Sequence, residues 1–437
     1  MNIKPRVAFH TLGCKLNFAE TATIQRLFEE KGFQKVDVGS EADVVVINTC
    51  TVTGSADKKC RNAISRAARN YPGAFLVVAG CYSQLKASEL AEMKGVDLVL
   101  GSKEKFRIFD YAGDFEKRTV PGVHVCEIGG DRDFSPSYSL SGRTRSFLKI
   151  QDGCDYYCSY CTIPMARGRS RSAPAGEIVS QVHVIEKQGI REVVLTGVNI
   201  GDFGKRGSGS LLDLLYRLES ETSVDRFRLS SVEPDLLDDG LIEFIAGNSR
   251  FAPHFHLPLQ SGCDRVLKLM NRKYNTSLFT ERVARIRELI PHAGIGADVI
   301  TGFPGETGGD FENTLQFLKE AGISYLHVFS YSDREGTRAG MMEGKVPPQE
   351  KERRSRILHS LADEIKLRFN ESCLGQVHQV LFEAYNRKGR MYGFTGNYIR
   401  VEAIADEGAV NRIADAELIE IAPDGKVRAI LKSSGSS

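Results

Sequence analysis

Three things are scarce in this sequence, and each scarcity excludes something. No stretch is long and apolar enough to span a bilayer, and Met1 to Pro5 lead straight into a strand-like segment without an apolar signal region. A cytoplasmic protein with no membrane partner is therefore expected. Net charge is also scarce: a formal +2 gives no general polyanion-binding character, so any nucleic-acid surface must be local. Finally, no Cys or His follows Cys161 until His183, twenty-two residues on. The close trio Cys154, Cys158 and Cys161 thus lacks the fourth ligand that a structural zinc site wants.

What is present is the composition of a globular protein, 41% hydrophobic and 26% charged, in a chain of 437 residues that calls for two or three domains. Ten cysteines in a reducing compartment read as metal ligands or buried thiols rather than disulfides. Three of them, in Gly153-Cys154-Asp155-Tyr156-Tyr157-Cys158-Ser159-Tyr160-Cys161, fall within eight residues, and local backbone geometry can aim them at one point. Soft thiolates converging in this way suit zinc or an iron-sulfur cluster. A zinc ribbon fits poorly. Three ligands on a cubane cluster leave one iron open, as a reacting molecule needs. The competing reading is an incidental, redox-labile group of thiols.

Residues 1–128 read as a doubly wound parallel α/β domain. Arg6 to Thr11 is a short strand ending at Gly13-Cys14, and Phe18 to Lys31 has helical spacing. Val44 to Ile47 is a β-branched run that ends at Asn48-Thr49-Cys50, Phe75 to Ala79 ends at Gly80-Cys81, and Val96 to Leu100 closes on Gly101-Ser102. Cys14, Cys50 and Cys81 thus each follow the carboxyl end of a predicted parallel strand, the edge where open α/β sheets bind ligands. Three thiols far apart in sequence should lie close in space and could hold a second cubane with an open iron. The alternative is that they are merely small buried residues at strand ends. Cys60, in the basic helical segment Asp57 to Arg69, reads as a non-ligand, and Cys126, on the strand-like Val123 to Ile128, as a core residue. Residues 129–142, rich in Asp, Ser, Gly and Pro, read as a linker.

From 143 to 372 the β/α alternation resumes with a longer period. Strands are expected at Ser146 to Ile150, Glu192 to Leu195, Arg226 to Ser230, His254 to Leu257, Gly296 to Ile300 and Tyr325 to Phe329. Six units fall short of the eight of a closed barrel, so a partial (β/α)6 barrel is predicted. Polar and glycine signals gather where these strands end: Asp152-Gly153-Cys154, Thr196-Gly197-Val198-Asn199, Ser231-Val232-Glu233-Pro234, Gln260-Ser261-Gly262 and Thr301-Gly302-Phe303-Pro304. Arg167 and Arg169 could pair with a carboxylate or phosphate, or form a solvated basic loop. Glu350 to Glu371 reads as a long amphipathic helix. Cys263 and Cys373 read as structural, Cys263 near the rim.

Residues 373–433 change texture to short strands with turn signals, the pattern of a small antiparallel β-barrel of OB-like shape. Arg387, Lys388, Arg390, Tyr392, Phe394, Tyr398 and Arg400 interleave basic and aromatic groups, as backbone tracking with base stacking would use. Eight Lys and Arg are balanced by eight Asp and Glu over residues 376–437, so aromatics that simply fill the barrel remain an alternative. Residues 434–437 read as a disordered tail.

The C-x3-C-x2-C run with Tyr160 before its last cysteine resembles the signature of radical S-adenosylmethionine (SAM) enzymes. The continuation Thr162-Ile163-Pro164-Met165-Ala166-Arg167-Gly168-Arg169-Ser170-Arg171 resembles the methylthiotransferases. That resemblance runs from Cys14 to the last domain, which is similar to the TRAM module of tRNA-modifying enzymes. Lys149-Ile150-Gln151-Asp152-Gly153-Cys154-Asp155 and Leu195-Thr196-Gly197-Val198-Asn199-Ile200-Gly201 look most like the branch that acts on N6-threonylcarbamoyladenosine.

The resemblance implies two 4Fe-4S clusters, one on Cys154, Cys158 and Cys161 and an auxiliary one on Cys14, Cys50 and Cys81. It further implies SAM as cofactor, held near Tyr160, Gly197, Asn199, Ser231, Glu233 and Gln260. The Thr196-Gly197-Val198-Asn199 stretch stands where the family has a Gly-Gly-Glu-like motif, and lacks the glutamate. The implied partners are a tRNA substrate, a flavodoxin- or ferredoxin-type electron donor and a sulfur donor. The implied reaction replaces an aromatic C–H by C–S, which no side chain can do, so cofactors must carry it. Rival substrates within the family are N6-isopentenyladenosine and a ribosomal-protein aspartate. A rival of another class is a non-catalytic iron-sulfur RNA-binding redox sensor.

Overall fold

A computed structural model describes residues 4–128, 133–140, 144–207, 209–385, 389–404 and 407–432. The proposed tail at 434–437, parts of the linker stretch, and Arg387 and Lys388 lie outside the described residues.

The N-terminal part is a six-stranded, fully parallel sheet. Its order is Gln34–Val36, Arg6–Thr11, Val44–Thr49, Phe75–Gly80, Leu98–Leu100 and Gly122–His124. Val44–Thr49 and Phe75–Gly80 are buried along their whole length, which is why they read as continuous apolar runs instead of alternating ones. One face packs Val45, Ile47, Leu76 and Val78 against Ile64 and Tyr82. The other packs Val44, Val46, Phe75 and Val77 against Ile24 and Phe28. The strand order reverses between Arg6–Thr11 and Val44–Thr49, which places a topological switch point beside Cys14 and Cys50. The predicted strand at 123–128 is instead the short edge strand Gly122–His124, so Cys126 lies past its end and is exposed, not core.

Six parallel strands form the central unit: Arg145–Lys149, Glu192–Thr196, Arg226–Leu229, His254–Gln260, Gly294–Thr301 and Tyr325–Ser330. They run in sequence order as two three-strand groups, and the isolated parallel bridges Phe227 to Phe251 and Ser231 to His256 join the groups. This is the predicted partial barrel. Alternate residues such as Leu148, Val193, Phe227, Leu257, Ile295 and Leu326 pack outward under the helices. The inner face is polar, carrying Lys149, Glu192, Arg228, His256, Asp298 and His327. Helix Lys15–Glu30 of the N-terminal part lies against that inner face, with Ala19 packed on Phe147 and Val194. Within the expected linker, Ser137–Tyr138 pairs antiparallel with Arg145–Lys149.

The long helix Pro348–Ser372 leads into a closed five-stranded barrel. It is not wholly antiparallel: Val427–Leu431 runs antiparallel to Ile413–Ile421 but parallel to Arg400–Ile404. Closure forces this, because the last strand must fill the gap between the third and fourth and leave no open edge. Arg226 and Arg228 donate to Phe394 O, Thr395 O and Gly396 O of this barrel, docking it beneath the amino ends of the central strands. Buried Glu192 holds both arginines. Burial would raise its carboxyl, but Arg228 and Arg226 hold it down to about 2. Among the described residues no helix is long and apolar enough to cross a membrane.

Candidate active site

Cys14, Cys50 and Cys81 meet at the carboxyl edge of the N-terminal sheet. Gly13, at φ 104°, allows the approach: a Cβ there would lie 2.5 Å from Cys50 Cβ and 2.8 Å from Cys50 Sγ, so the Cys14 turn rests directly on Cys50. Burial pushes the Cys50 thiol up to about 12, helped by the charges of Cys14 and Cys81. Cys14 keeps solvent contact in a recess, and the atoms around it still raise its thiol. Cys60 does not turn toward this trio. Its thiol donates to Cys50 O at 3.3 Å from within the apolar core.

The second trio is set by a tight loop. Gly153 has φ 71°, and a Cβ there would meet Arg169 O at 2.1 Å, while Cys154 N donates to Gly168 O at 3.0 Å. Burial and the charges of Cys161 and Cys158 raise the Cys154 thiol, and burial with Cys158 pushes Cys161 up to about 12. Thiols withdrawn from water that repel one another as thiolates are a donor set that a soft cation would relieve. Both trios fit an iron-sulfur cluster on that ground.

A short helix joins the two trios. Ile163–Arg167 follows Cys161 and packs on Cys81–Leu85, with Ser102 Oγ donating to Ala166 O at 2.7 Å and Thr162 Oγ1 to Thr51 O at 3.4 Å. Arg167, at its end, is buried and closes the joint. Its Nε donates to Cys81 Sγ at 3.1 Å, Nη1 to Glu20 Oε1 and Asp152 Oδ1 at 2.9 Å each, and Nη2 to Asn17 Oδ1 at 2.9 Å. Arg167 is thus no free phosphate-binding cation, whereas Arg169 remains exposed beside Asp155.

Of the cofactor residues expected from the sequence, Asn199 carries the clearest signal. It is buried, and among the described residues both polar atoms of its carboxamide lack a protein partner, as in a side chain reserved for a ligand. Gly197 adjoins Gln151, whose Oε1 accepts from Val198 N and Asn199 N at 2.9 Å each. Gln151 Nε2 also donates to Gly153 O at 2.8 Å. Gln151 therefore ties the Asn199 loop to the cysteine loop. Gln260 is buried at φ 67°, and Ser231 Oγ lies 2.7 Å from His256 Nδ1. Tyr160 packs edge-on to Phe303 beside buried Val266, Met270 and Tyr331, an apolar wall next to Cys158 and Cys161. Cys263 points its thiol at Asp310 Oδ1 at 3.2 Å.

Arg272 escaped sequence reading. It is buried, pairs with Glu233 and donates from Nη1 to Cys158 Sγ at 2.9 Å. Burial raises the Glu233 carboxyl to about 7 despite this pair. No spacing rule links Arg272 to a cysteine 114 residues earlier, and Gln151 was legible only as part of a family-like stretch. In the last barrel Arg400 is exposed, and Arg390 pairs with Glu402. Phe394 sits at the joint with the core, under Arg145 and stacked on Tyr398.

Two clusterable thiol trios on a partial barrel and an open α/β sheet define a radical SAM enzyme with an added cysteine-bearing domain. Residues 148–318 match the radical SAM superfamily and residues 6–101 match an uncharacterized protein family, UPF0004. The threonylcarbamoyladenosine tRNA methylthiotransferase MtaB of Bacillus subtilis is 36% identical over 424 residues, covering 95% of this chain and 94% of the relative. Its namesake from Aquifex aeolicus is 40% identical over 400 residues, covering 91% and 96%. The chain belongs to the tRNA methylthiotransferase family. Among solved structures, the radical SAM methyltransferase TsrM from Kitasatospora setae shares the fold, with a TM-score of 0.53, 15% identity and coverage of 78% and 77%.

Proposed function

We propose that this protein methylthiolates C2 of N6-threonylcarbamoyladenosine at position 37 of tRNA, beside the anticodon. The observation that supports the proposal is a pair of thiol trios from two domains, joined by the short helix whose last residue, Arg167, donates to Cys81, Glu20 and Asp152, in a chain that matches threonylcarbamoyladenosine tRNA methylthiotransferases over nearly its whole length.

In this reading Cys154, Cys158 and Cys161 hold one 4Fe-4S cluster, and Cys14, Cys50 and Cys81 an auxiliary one. Asn199, Gly197, Tyr160, Ser231, Glu233 and Gln260 line the place for SAM. The chemistry these groups supply when bound is one-electron cleavage of a sulfonium, hydrogen abstraction from carbon and delivery of a methylated sulfur. The chain's own residues position and insulate. Gln151 fixes the Asn199 loop on the cysteine loop, Arg272 donates its N–H to Cys158 and neutralises Glu233, and the wall of Phe303, Tyr331, Val266 and Met270 keeps water from the thiols. Arg167 donates to Cys81 while its neighbours Glu20 and Asp152 fix its orientation. The last barrel, through Arg390, Phe394 and Arg400, together with Arg387 and Lys388, tracks the RNA. An electron donor of flavodoxin or ferredoxin type and a sulfur donor complete the cycle.

A nucleoside digest of tRNA from cells lacking the protein tests the proposal. Loss of the methylthio derivative of threonylcarbamoyladenosine, restored by the intact gene, is expected. Unchanged levels of that nucleoside, or loss of methylthio-isopentenyladenosine instead, would overturn it.

A further inference from the structure

Lys15 plays no part in the arrangement described so far, yet it stands at its centre. It is the first residue of helix Lys15–Glu30, immediately after Cys14, and that helix lies on the inner face of the partial barrel. The side chain is largely withdrawn from solvent and within electrostatic reach of Arg228, Arg145 and His254, and of Glu192, whose carboxylate is already paired with Arg226 and Arg228. Among the described residues its ammonium makes no hydrogen bond and no ion pair.

Among the described residues the other basic side chains on the inner face have partners. Arg228 is held by Glu192 and by carbonyls of the last barrel. His256 and His327 both lie 3.1 Å from Asp298 Oδ1. Lys149 lies between Glu20 and Asp152. A mostly buried ammonium without a partner is costly unless a ligand anion compensates it. The base assigned to this site under the proposed function carries such an anion, the carboxylate of its threonyl group, while the rival isopentenyl base carries none.

We propose that Lys15 pairs with the threonyl carboxylate of the substrate base and thereby selects it over adenosines whose N6 substituent is uncharged. The proposal rests on the threonylcarbamoyladenosine reading. Lys15 also adjoins Cys14, so service to the auxiliary cluster alone is the competing role, and the experiment separates the two.

Full-length protein, reconstituted anaerobically, is compared with Lys15→Gln and Lys15→Arg on two anticodon stem-loops. One carries threonylcarbamoyladenosine, the other an N6-alkylcarbamoyl adenosine without the carboxylate. Equilibrium affinity and KM are read alongside the electron paramagnetic resonance spectrum of the clusters. In Lys15→Gln the affinity for the carboxylate-bearing RNA should fall roughly 10- to 100-fold, the loss of one charge-assisted hydrogen bond, with little change for the other RNA. Lys15→Arg should keep most of the preference. An equal loss on both RNAs, an unchanged preference, or an altered cluster spectrum with the preference intact would overturn the proposal while leaving the substrate reading in place. Affinity needs no turnover, so the comparison stands even where a variant assembles clusters poorly. Wild-type protein that fails to prefer the carboxylate-bearing RNA would overturn the substrate reading, and the role of Lys15 with it.

Discussion

Replacing Arg167 by methionine keeps the reach of the side chain and deletes the guanidinium that joins the two thiol trios. The lost contacts are Nε to Cys81 Sγ at 3.1 Å, Nη1 to Glu20 and Asp152 at 2.9 Å each, and Nη2 to Asn17 at 2.9 Å and Glu20 Oε2 at 3.0 Å. Removing one member of a buried ion pair typically costs about 3–5 kcal/mol, because a charge is left uncompensated. Here the compensation is not wholly lost. Glu20 keeps Lys105 at 2.5 Å and Lys149 at 3.2 Å, and Asp152 keeps Lys149 at 3.2 Å and Arg171 at 3.1 Å. The lower end, about 3 kcal/mol, is therefore expected. At about 1.3 °C per kcal/mol for a unit of roughly 370 residues, calorimetry should show the transition of the joined N-terminal and central parts falling by about 4 °C. A lysine at this position cannot reproduce the planar fork, so Arg167→Lys should recover only part of the loss. A fall below about 2 °C, or a lysine variant as stable as the wild type, would refute the account of Arg167 as the joint.

The Glu192 carboxyl stands at about 2 in the folded protein against 4.5 unfolded. A carboxyl lowered by folding stabilises above its unfolded value, and that contribution, about 3 kcal/mol, drains away as the pH falls from 4.5 through 2. Acid should thus loosen the docking of the last barrel, read as faster hydrogen exchange over residues 390–395, and Glu192→Gln should flatten that acid dependence. Cys60→Ser should leave the iron content of anaerobically purified protein unchanged, since the thiol faces Cys50 O and the core; a loss of iron would contradict its placement. Gln151→Ala strips the acceptor from Val198 N and Asn199 N, and should weaken SAM binding measured by calorimetry about 10-fold. Unchanged affinity would detach the Asn199 loop from the cofactor site.

The parallel strands were legible because burial on both faces makes them continuous apolar runs, and their ends located Cys14, Cys50 and Cys81 without any contact information. The edge strand Gln34–Val36 was not legible, because three partly exposed residues carry no run long enough to register, and Gly122–His124 registered only as part of a longer stretch whose end the sequence did not mark. Sequence patterning also hid the polar inner face of the partial barrel. Glu192, Arg226 and Arg228 sit inside strands whose periodicity marks only which residues face outward, and their function is to meet the backbone of a domain some 170 residues downstream. Arg272 and Lys15 were silent for a related reason. One is recognised by the sulfur it touches and the other by the partner it lacks, and neither is a property of local sequence.

Iron and sulfide content of anaerobically reconstituted protein tests the central claim most directly. About eight irons per chain are expected, falling to about four when Cys14, Cys50 and Cys81 are replaced together, and to about four again when Cys154, Cys158 and Cys161 are replaced instead. About four irons in the wild type, unaffected by loss of the N-terminal trio, would contradict the pairing of two clusters on which the proposed chemistry depends.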